Sequence, residues 1–293
     1  MFVLGAVVSG LMVGGVYALV AVGFTLILGV LKIVNFAYGP TIMMGMFGIY
    51  WLWAKFGLDP YLGMIPVAAV LFVLGYFTQN WLFEPFFKRE RNVVVEPLSI
   101  ILVGAGLWFI FENTALLAWG AEAKITEGVL SGKSFAVGEI IISTTRLMAL
   151  IGGLIFCCLT YLLLNKTGFG RAVRAISQNR DASALSGIDV YRMYSLTNGL
   201  GTALAGIAGA LLATFFYTVP TVGTHWSIMA FIIVVLGGMG SLPGAIIGAF
   251  IIGLVESVTS YLLTPAIAPV FMYLIFVVIL VLRPIGLLGR EAL

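Results

Sequence analysis

Val3-Leu-Gly-Ala-Val-Val-Ser-Gly-Leu-Met-Val-Gly-Gly-Val-Tyr-Ala-Leu-Val-Ala-Val-Gly-Phe-Thr-Leu-Ile-Leu-Gly-Val-Leu31 contains no charged side chain. Crossing the hydrocarbon core of a bilayer takes about 20 apolar residues as a helix, and only helices or closed barrels satisfy the backbone there. The run is long and does not alternate, so it reads as a helix. It lacks a basic leader and a small-residue cleavage site, and is too long for a signal-peptide core, so it is expected to remain as a mature helix. Working outward, similar runs recur at about 38–54, 61–83, 97–118, 147–165, 193–217, 226–252 and 245–282, the last two merging and broken internally. Over the whole chain 61% of residues are hydrophobic and 9% charged, far from the composition of soluble domains. The expected fold is all-α: a polytopic transmembrane bundle of eight or nine spans, forming a single domain over 1–293, with helices interrupted near 35–40 and 237–244.

Charge sets the expected topology, since loops rich in Lys and Arg stay in the cytoplasm. Segments 84–96 and 166–192, the tail after 282 and the turn at Lys32 hold the basic residues of one side. Lys55, Lys124, Lys133 and Arg146 fall on the other. Nine crossings with a periplasmic N-terminus and a cytoplasmic C-terminus satisfy this count, and make 119–146 an external loop, a hairpin of mixed charge.

Several chemistries lack raw material. The net charge of +3, without basic runs interleaved with aromatics, argues against nucleic acid as a partner. Cys157 and Cys158 are adjacent inside an apolar run, which suits packing rather than a disulfide. His225 is the one histidine, so neither a histidine-based metal cluster nor a Cys/His catalytic pair is expected. Gly128-Val-Leu-Ser-Gly-Lys133-Ser134 resembles a phosphate loop, but its first glycine is one residue too close to the lysine, and an exposed turn is the better reading. No catalytic residue, metal or cofactor is assigned.

The 36 glycines are informative. Gly10 with Gly14, Ala205 with Gly209, and Gly240, Gly244 and Gly248 stand one helical turn apart, which permits close helix approach in lipid. The stretch Leu236-Gly-Gly-Met-Gly-Ser-Leu-Pro-Gly-Ala245 is too rich in glycine for a continuous helix. It is either a tight turn or a broken span whose free backbone groups face a transported solute. Asn35-Phe-Ala-Tyr-Gly-Pro40 interrupts the chain near its start; Asn35 suits a helix cap and Pro40 a first turn. Asn35, Tyr38, Gly39, Gly237, Gly238, Gly240 and Ser241 are therefore the candidate substrate path. Two acids inside spans, Glu112 and Glu256, are costly there; each reads as an interhelical hydrogen-bonding group, or alternatively as a site for a substrate amine or a proton.

One polar island stands apart from the apolar runs: Thr167-Gly-Phe-Gly-Arg-Ala-Val-Arg-Ala-Ile-Ser-Gln-Asn-Arg-Asp-Ala-Ser-Ala-Leu-Ser-Gly-Ile188. Charges are scarce in such a chain, so Arg171, Arg174, Arg180 and Asp181 in a helix-permitting pattern read as a face for another protein. With Asn35-Phe-Ala-Tyr-Gly39, Leu236–Ala245 and the closing Arg283-Pro-Ile-Gly-Leu-Leu-Gly-Arg290, this island resembles the branched-chain amino-acid ABC permease family, in its shorter subunit type. The resemblance covers essentially the full length. It implies a bacterial inner-membrane permease working with a second permease subunit, two cytosolic ATPase subunits that consume ATP, and a periplasmic solute-binding protein. It also implies that 167–188 is the cytoplasmic coupling segment, with Gly168, Gly170, Arg171, Arg174, Ala175, Asn179, Ala182, Ala184 and Gly187 as contact residues. The chain departs from the family's pattern at Tyr38, where many relatives carry histidine, and at Pro40, where an acid is frequent; its pathway is accordingly more aromatic. Urea, short amides or aromatic carboxylates are alternative solutes, and a proton-coupled secondary transporter is the alternative mechanism.

Overall fold

The computed structural model describes residues 2–89, 95–137, 140–283 and 285–289. Arg91, Pro284 and Arg290, used above in the charge count and the closing motif, lie outside the described residues. The chain begins with α1 (Phe2–Leu31), α2 (Tyr38–Phe56) and α3 (Pro60–Thr78), the last continuing through a π-helical turn (Gln79–Phe83) into α4 (Glu84–Arg89). Then come α5 (Val95–Trp119), a hairpin of β1 (Ser134–Val137) and β2 (Ile140–Ser143), and α6 (Thr144–Lys166). The island forms α7 (Gly168–Gln178) and α8 (Arg180–Leu185), and α9 (Val190–Leu212), α10 (Val222–Gly237), α11 (Leu242–Leu262) and α12 (Ala268–Leu282) follow.

Among the described residues six helices are long and apolar enough to cross a bilayer: Val3–Leu31, Pro60–Lys88, Ser99–Trp119, Thr144–Lys166, Val190–Leu212 and Leu242–Leu262. Val222–Gly237 and Ala268–Leu282 are shorter apolar helices. The expected helical bundle is therefore found, and the merged run 226–282 divides into α10, α11 and α12, two of them short. The hairpin expected within 119–146 is an antiparallel pair, β1–β2, with Ser134 opposite Ser143 and Phe135 opposite Ile142. The β-branched Ile141 and Ile142 favour a strand over a helix, so the chain is mostly helical but not strictly all-α.

Burial explains the architecture. Gly14–Leu28 of α1 and Gly201–Ala213 are buried on every side, as expected for a helix apolar all round. Helix α1 packs on α6, α9, α10 and α11; α9 packs on α1, α2 and α3. Peripheral α3, α5 and α6 instead expose residues such as Val70, Phe109 and Ile155, as a lipid-facing rim requires. Where helices are held without a hydrophobic force separating them from lipid, backbones must approach closely. A side chain on Gly253 would meet the Gly10 carbonyl at 2.8 Å and Gly14 Cα at 2.9 Å. Gly237 lies against the Gly244 backbone, Gly15 against Gly153, and Gly45 and Gly209 along the α2–α9 seam. The Gly10/Gly14 expectation thus holds, and Gly209 packs on α2 as expected, with Gly206 rather than Ala205 against Gly45. The third seam is built from Gly237, Gly244 and Gly248, while Gly240 precedes α11 and approaches Gly29 of α1.

Gly253→Val should destabilise the purified protein by about 1–3 kcal/mol through overpacking, read as a lower midpoint of thermal unfolding in detergent. Gly106→Ala, at a position with open space around it, should leave that midpoint unchanged or raise it.

Candidate translocation and coupling sites

Between α1 and α2 the chain leaves helical geometry for six residues and turns back into the bundle. Lys32 adopts a positive φ of 56°, which ends α1. The Asn35 side-chain oxygen accepts from the Ala37 amide at 3.0 Å, and the Tyr38 amide donates to the Asn35 carbonyl at 3.2 Å. Asn35 therefore starts an Asx turn rather than capping α2, whose N-cap is Ala37 without a side-chain bond. Pro40 does fall in the first turn of α2, as expected. The Tyr38 hydroxyl donates to the Val20 carbonyl at 2.8 Å, and its ring lies 5.1 Å from that of Phe24. The Gly39 amide donates to Ser227 Oγ at 3.0 Å, and that hydroxyl donates onward to the Phe36 carbonyl at 3.2 Å. Ser227 precedes the end of α10 at Gly237 by ten residues, roughly 15 Å along a helix. Irregular backbone at that depth persists only where protein or a watery cavity satisfies it, and here one serine serves both sides of the turn. Tyr38 and Gly39 are buried between α1, α2 and α10, whereas Phe36 is 39% exposed. A side chain at Gly39 would collide with Ser227 and the Gly223 carbonyl, so glycine is required there.

The second interruption is different in kind. Gly238 and Gly240 hold φ of 106° and 82°, the Ser241 hydroxyl accepts from the Gly244 amide at 3.2 Å, and α11 begins at once. Leu287 and Leu288 amides donate to the Leu236 and Gly237 carbonyls at 2.9 and 3.0 Å. Met239–Pro243 line a cavity of about 530 Å³ with Gly29 of α1, Asn165 of α6 and Arg174 of α7. The break is a tight turn at the island end of the bundle, not a counterpart of Asn35–Pro40 at membrane depth. The two membrane acids are both hydrogen-bonded. Tyr17 donates to Glu256 across helices at 2.6 Å, while Trp108 donates to Glu112 at 2.6 Å within α5 itself, so the interhelical role holds for Glu256 alone.

The island is two capped helices. The Thr167 hydroxyl accepts from the Gly170 amide at 3.2 Å to start α7, and Asn179 accepts from the Ala182 amide at 3.0 Å to start α8. Gly187, at φ 83°, ends α8, and the Ile188 amide returns to the Ser183 carbonyl at 3.1 Å, the usual αL close. Gly170, Val173 and Ile176 are buried along one face of α7; Gly170 sits against the Leu164 backbone, where no side chain fits. Gly168, Arg171, Arg174 and Asn179 are exposed, Ala175 is half-buried, and Ala182, Ala184 and Gly187 are exposed. Arg174 turns back to donate to the Leu164 carbonyl, at the negative end of α6. Arg180 points inward onto aromatic rings, so it is no outward charge. Leu185, 90% exposed, was missed by sequence reading, because an isolated leucine in a polar stretch looks like any surface residue. The hairpin loop and the island lie at opposite ends of α6, whose 23 residues extend roughly 34 Å. In the loop, Gly128–Lys133 forms the exposed turn expected of it, its Gly128 amide donating to Ser131 Oγ at 2.8 Å.

The permease component family of branched-chain amino acid transport systems matches residues 6–280. The chain belongs to that family. It is 30% identical to the high-affinity branched-chain amino acid transport system permease protein BraD of Pseudomonas aeruginosa, over 97% of this chain and 94% of that protein. It is 28% identical to the corresponding permease LivH of Escherichia coli K12, over 96% and 94%. A probable branched-chain amino acid transport permease LivH of Methanocaldococcus jannaschii is 32% identical over 93% and 88%. These relatives are transport permeases, not enzymes. A membrane-spanning permease accounts for the buried α1 and α9 and for the glycine seams together.

Ser227, which bonds the Gly39 amide and the Phe36 carbonyl, is a residue that sequence reading passed over; a lone serine in an apolar helix carries no sign that two backbone groups converge on it. Ser227→Ala in this permease leaves the Gly39 amide and the Phe36 carbonyl unpaired, and should cost about 1–3 kcal/mol, measured as a fall in thermal midpoint. Ser227→Thr, which keeps the hydroxyl, should lose less.

Proposed function

We propose that this permease is one of two membrane subunits of an ATP-driven importer for branched-chain or related amino acids, forming half of the translocation path. The observation that carries the reading is the island. Its two capped helices are pinned to the bundle by Gly170, Val173 and Ile176, while Arg171, Ala182, Ala184 and Leu185 face outward. That is a rigid, small-residue surface with one apolar knob and a cation, suited to a groove on a separate ATPase. The relatives, which are branched-chain amino acid transport permeases, support amino acids as the solute; urea, short amides or aromatic carboxylates remain the second solute class.

The basic residues Lys32, Lys88, Lys166, Arg171 and Arg174 stand on segments that gather at the island end, which favours a cytoplasmic island and C-terminus and a periplasmic N-terminus in a bacterial inner membrane. The expected partners follow: a second permease subunit, two cytosolic ATPase subunits, and a periplasmic binding protein meeting the end that carries Lys124 and the hairpin. Residues 1–293 act as one transmembrane domain. The solute passes along the face where Asn35 and Phe36 emerge beside Ser227 and Gly104, and the turn Gly237–Ser241 serves the coupling end instead of the path. Glu256, engaged by Tyr17, serves packing, so no proton step is assigned to it.

Arg171→Glu together with Leu185→Asp should weaken ATPase docking by about 2 kcal/mol or more, roughly thirtyfold in affinity. The measurement is ATPase co-purification with the tagged permease, with leucine uptake into proteoliposomes holding the whole importer. Undiminished co-purification and uptake in the double variant would overturn the coupling assignment.

A further inference from the structure

Of the island's arginines, Arg180 is the one that the outward-facing reading leaves without a task. Its guanidinium carbon lies 5.6 Å from the ring centre of Phe87, 5.4 Å from Tyr191 and 5.7 Å from Tyr194. It also donates to the Tyr191 hydroxyl at 3.1 Å. Phe87 and Tyr194 are buried and packed together, ring centres 5.3 Å apart. Lys88 stands over the Tyr191 ring at 4.9 Å and pairs with Glu84 at 2.5 Å, so α4 and the start of α9 are themselves joined. Lys32, Ile33 and Ile176 line the same pocket as Arg180, which brings the α1–α2 turn to this point as well.

A planar cation among three aromatic faces is held by electrostatics and stacking that a flexible ammonium reproduces only in part. The attachment continues into the membrane. Phe87 belongs to α4, which runs unbroken from α3 through the π-helical turn Gln79–Phe83. Tyr191 and Tyr194 belong to α9, which packs along α3. Polar bonds fasten that pair: Asn198 Nδ2 to the Gly75 carbonyl at 2.8 Å, Thr202 Oγ1 to the Leu71 carbonyl at 2.9 Å, and the Ser195 hydroxyl to Asn80. Single π-helical turns inside α-helices are frequent at functional sites. Arg174 ties the island to α6 through the Leu164 carbonyl, whereas Arg180 ties it to α4 and α9.

We propose that Arg180 is a positioning residue of the coupling apparatus, locking the island to α4 and α9 so that displacement of α8 moves the α3–α9 pair. This rests on the reading of the island as an ATPase contact. Pulling on Leu185 and its neighbours then reaches the bundle through the aromatic clamp, and without the clamp α8 moves while α3 and α9 stay.

The test uses the complete importer carrying Arg180→Ala or Arg180→Lys, with three readouts: ATPase co-purification, ATP hydrolysis, and solute taken up per ATP hydrolysed. For Arg180→Ala, docking and hydrolysis are expected within about twofold of wild type, with uptake per ATP falling about tenfold. Arg180→Lys should recover part of that loss. If the alanine variant does not accumulate, Arg180→Lys alone carries the test, with an expected fall of about threefold in the same ratio. An unchanged ratio in the variants, a parallel loss of hydrolysis and uptake, or loss of docking would each overturn the proposal. Failure of the docking reading itself is separate: it shows as intact docking in Arg171→Glu with Leu185→Asp, whatever Arg180 does.

Discussion

Everything in this bundle depends on the Gly14–Leu28 stretch of α1 lying at its centre, buried on every side. A wholly buried membrane helix gains nothing from hydrophobicity alone, since lipid is as apolar as its neighbours, and is held by dispersion contacts over short distances. The Gly10–Gly253, Gly15–Gly153 and Gly23–Leu204 contacts bring the other helices close enough for that attraction to act. Once α1 is so enclosed, its end becomes the meeting point of the α1–α2 turn, the α10–α11 turn, α6 and the island.

That meeting point links the energetic and the functional sides of the permease. The island is polar and exposed on its outer face, yet its inner face is bound in three ways: by the apolar row Gly170, Val173 and Ile176, by Arg174 at the end of α6, and by Arg180 among Phe87, Tyr191 and Tyr194. A segment held so is a solid body rather than a loop, and its motion must be shared with the helices it grips. At greater depth the chain is irregular where Asn35–Gly39 re-enters, and Ser227 satisfies the exposed backbone there. The island end is thus built for stiffness, while the chain beside Ser227 keeps a short non-helical stretch.

Much of this was legible from sequence because some signals are local. Uncharged runs longer than a bilayer core announce spans, and the polar, arginine-bearing stretch 167–188 in a helix-permitting pattern announces the island. Other signals are not local. Arg171, Arg174 and Arg180 look alike in sequence, and which of them faces a partner depends on what α4, α6 and α9 place beside them. The glycine-rich stretch at Leu236–Ala245 was compatible with a turn or a broken span, because positive φ and close packing both call for glycine. For Glu112 and Glu256 a structural role was the better reading from sequence, more so for Glu256, but their partners, Trp108 and Tyr17, come from the fold.

The amino-acid sequence by itself determined that the chain is a helical membrane protein with a polar, basic island between its apolar runs, since hydropathy and charge scarcity act over a few residues at a time. Only the tertiary structure decided that Gly237–Ser241 lies at the island end, that Asn35–Gly39 re-enters beside Ser227, and that Arg180 turns inward while Leu185 projects. Those outcomes come from contacts between residues more than a hundred positions apart or on different helices, where packing distance and the need to satisfy buried polar groups choose among conformations that local preferences leave equal.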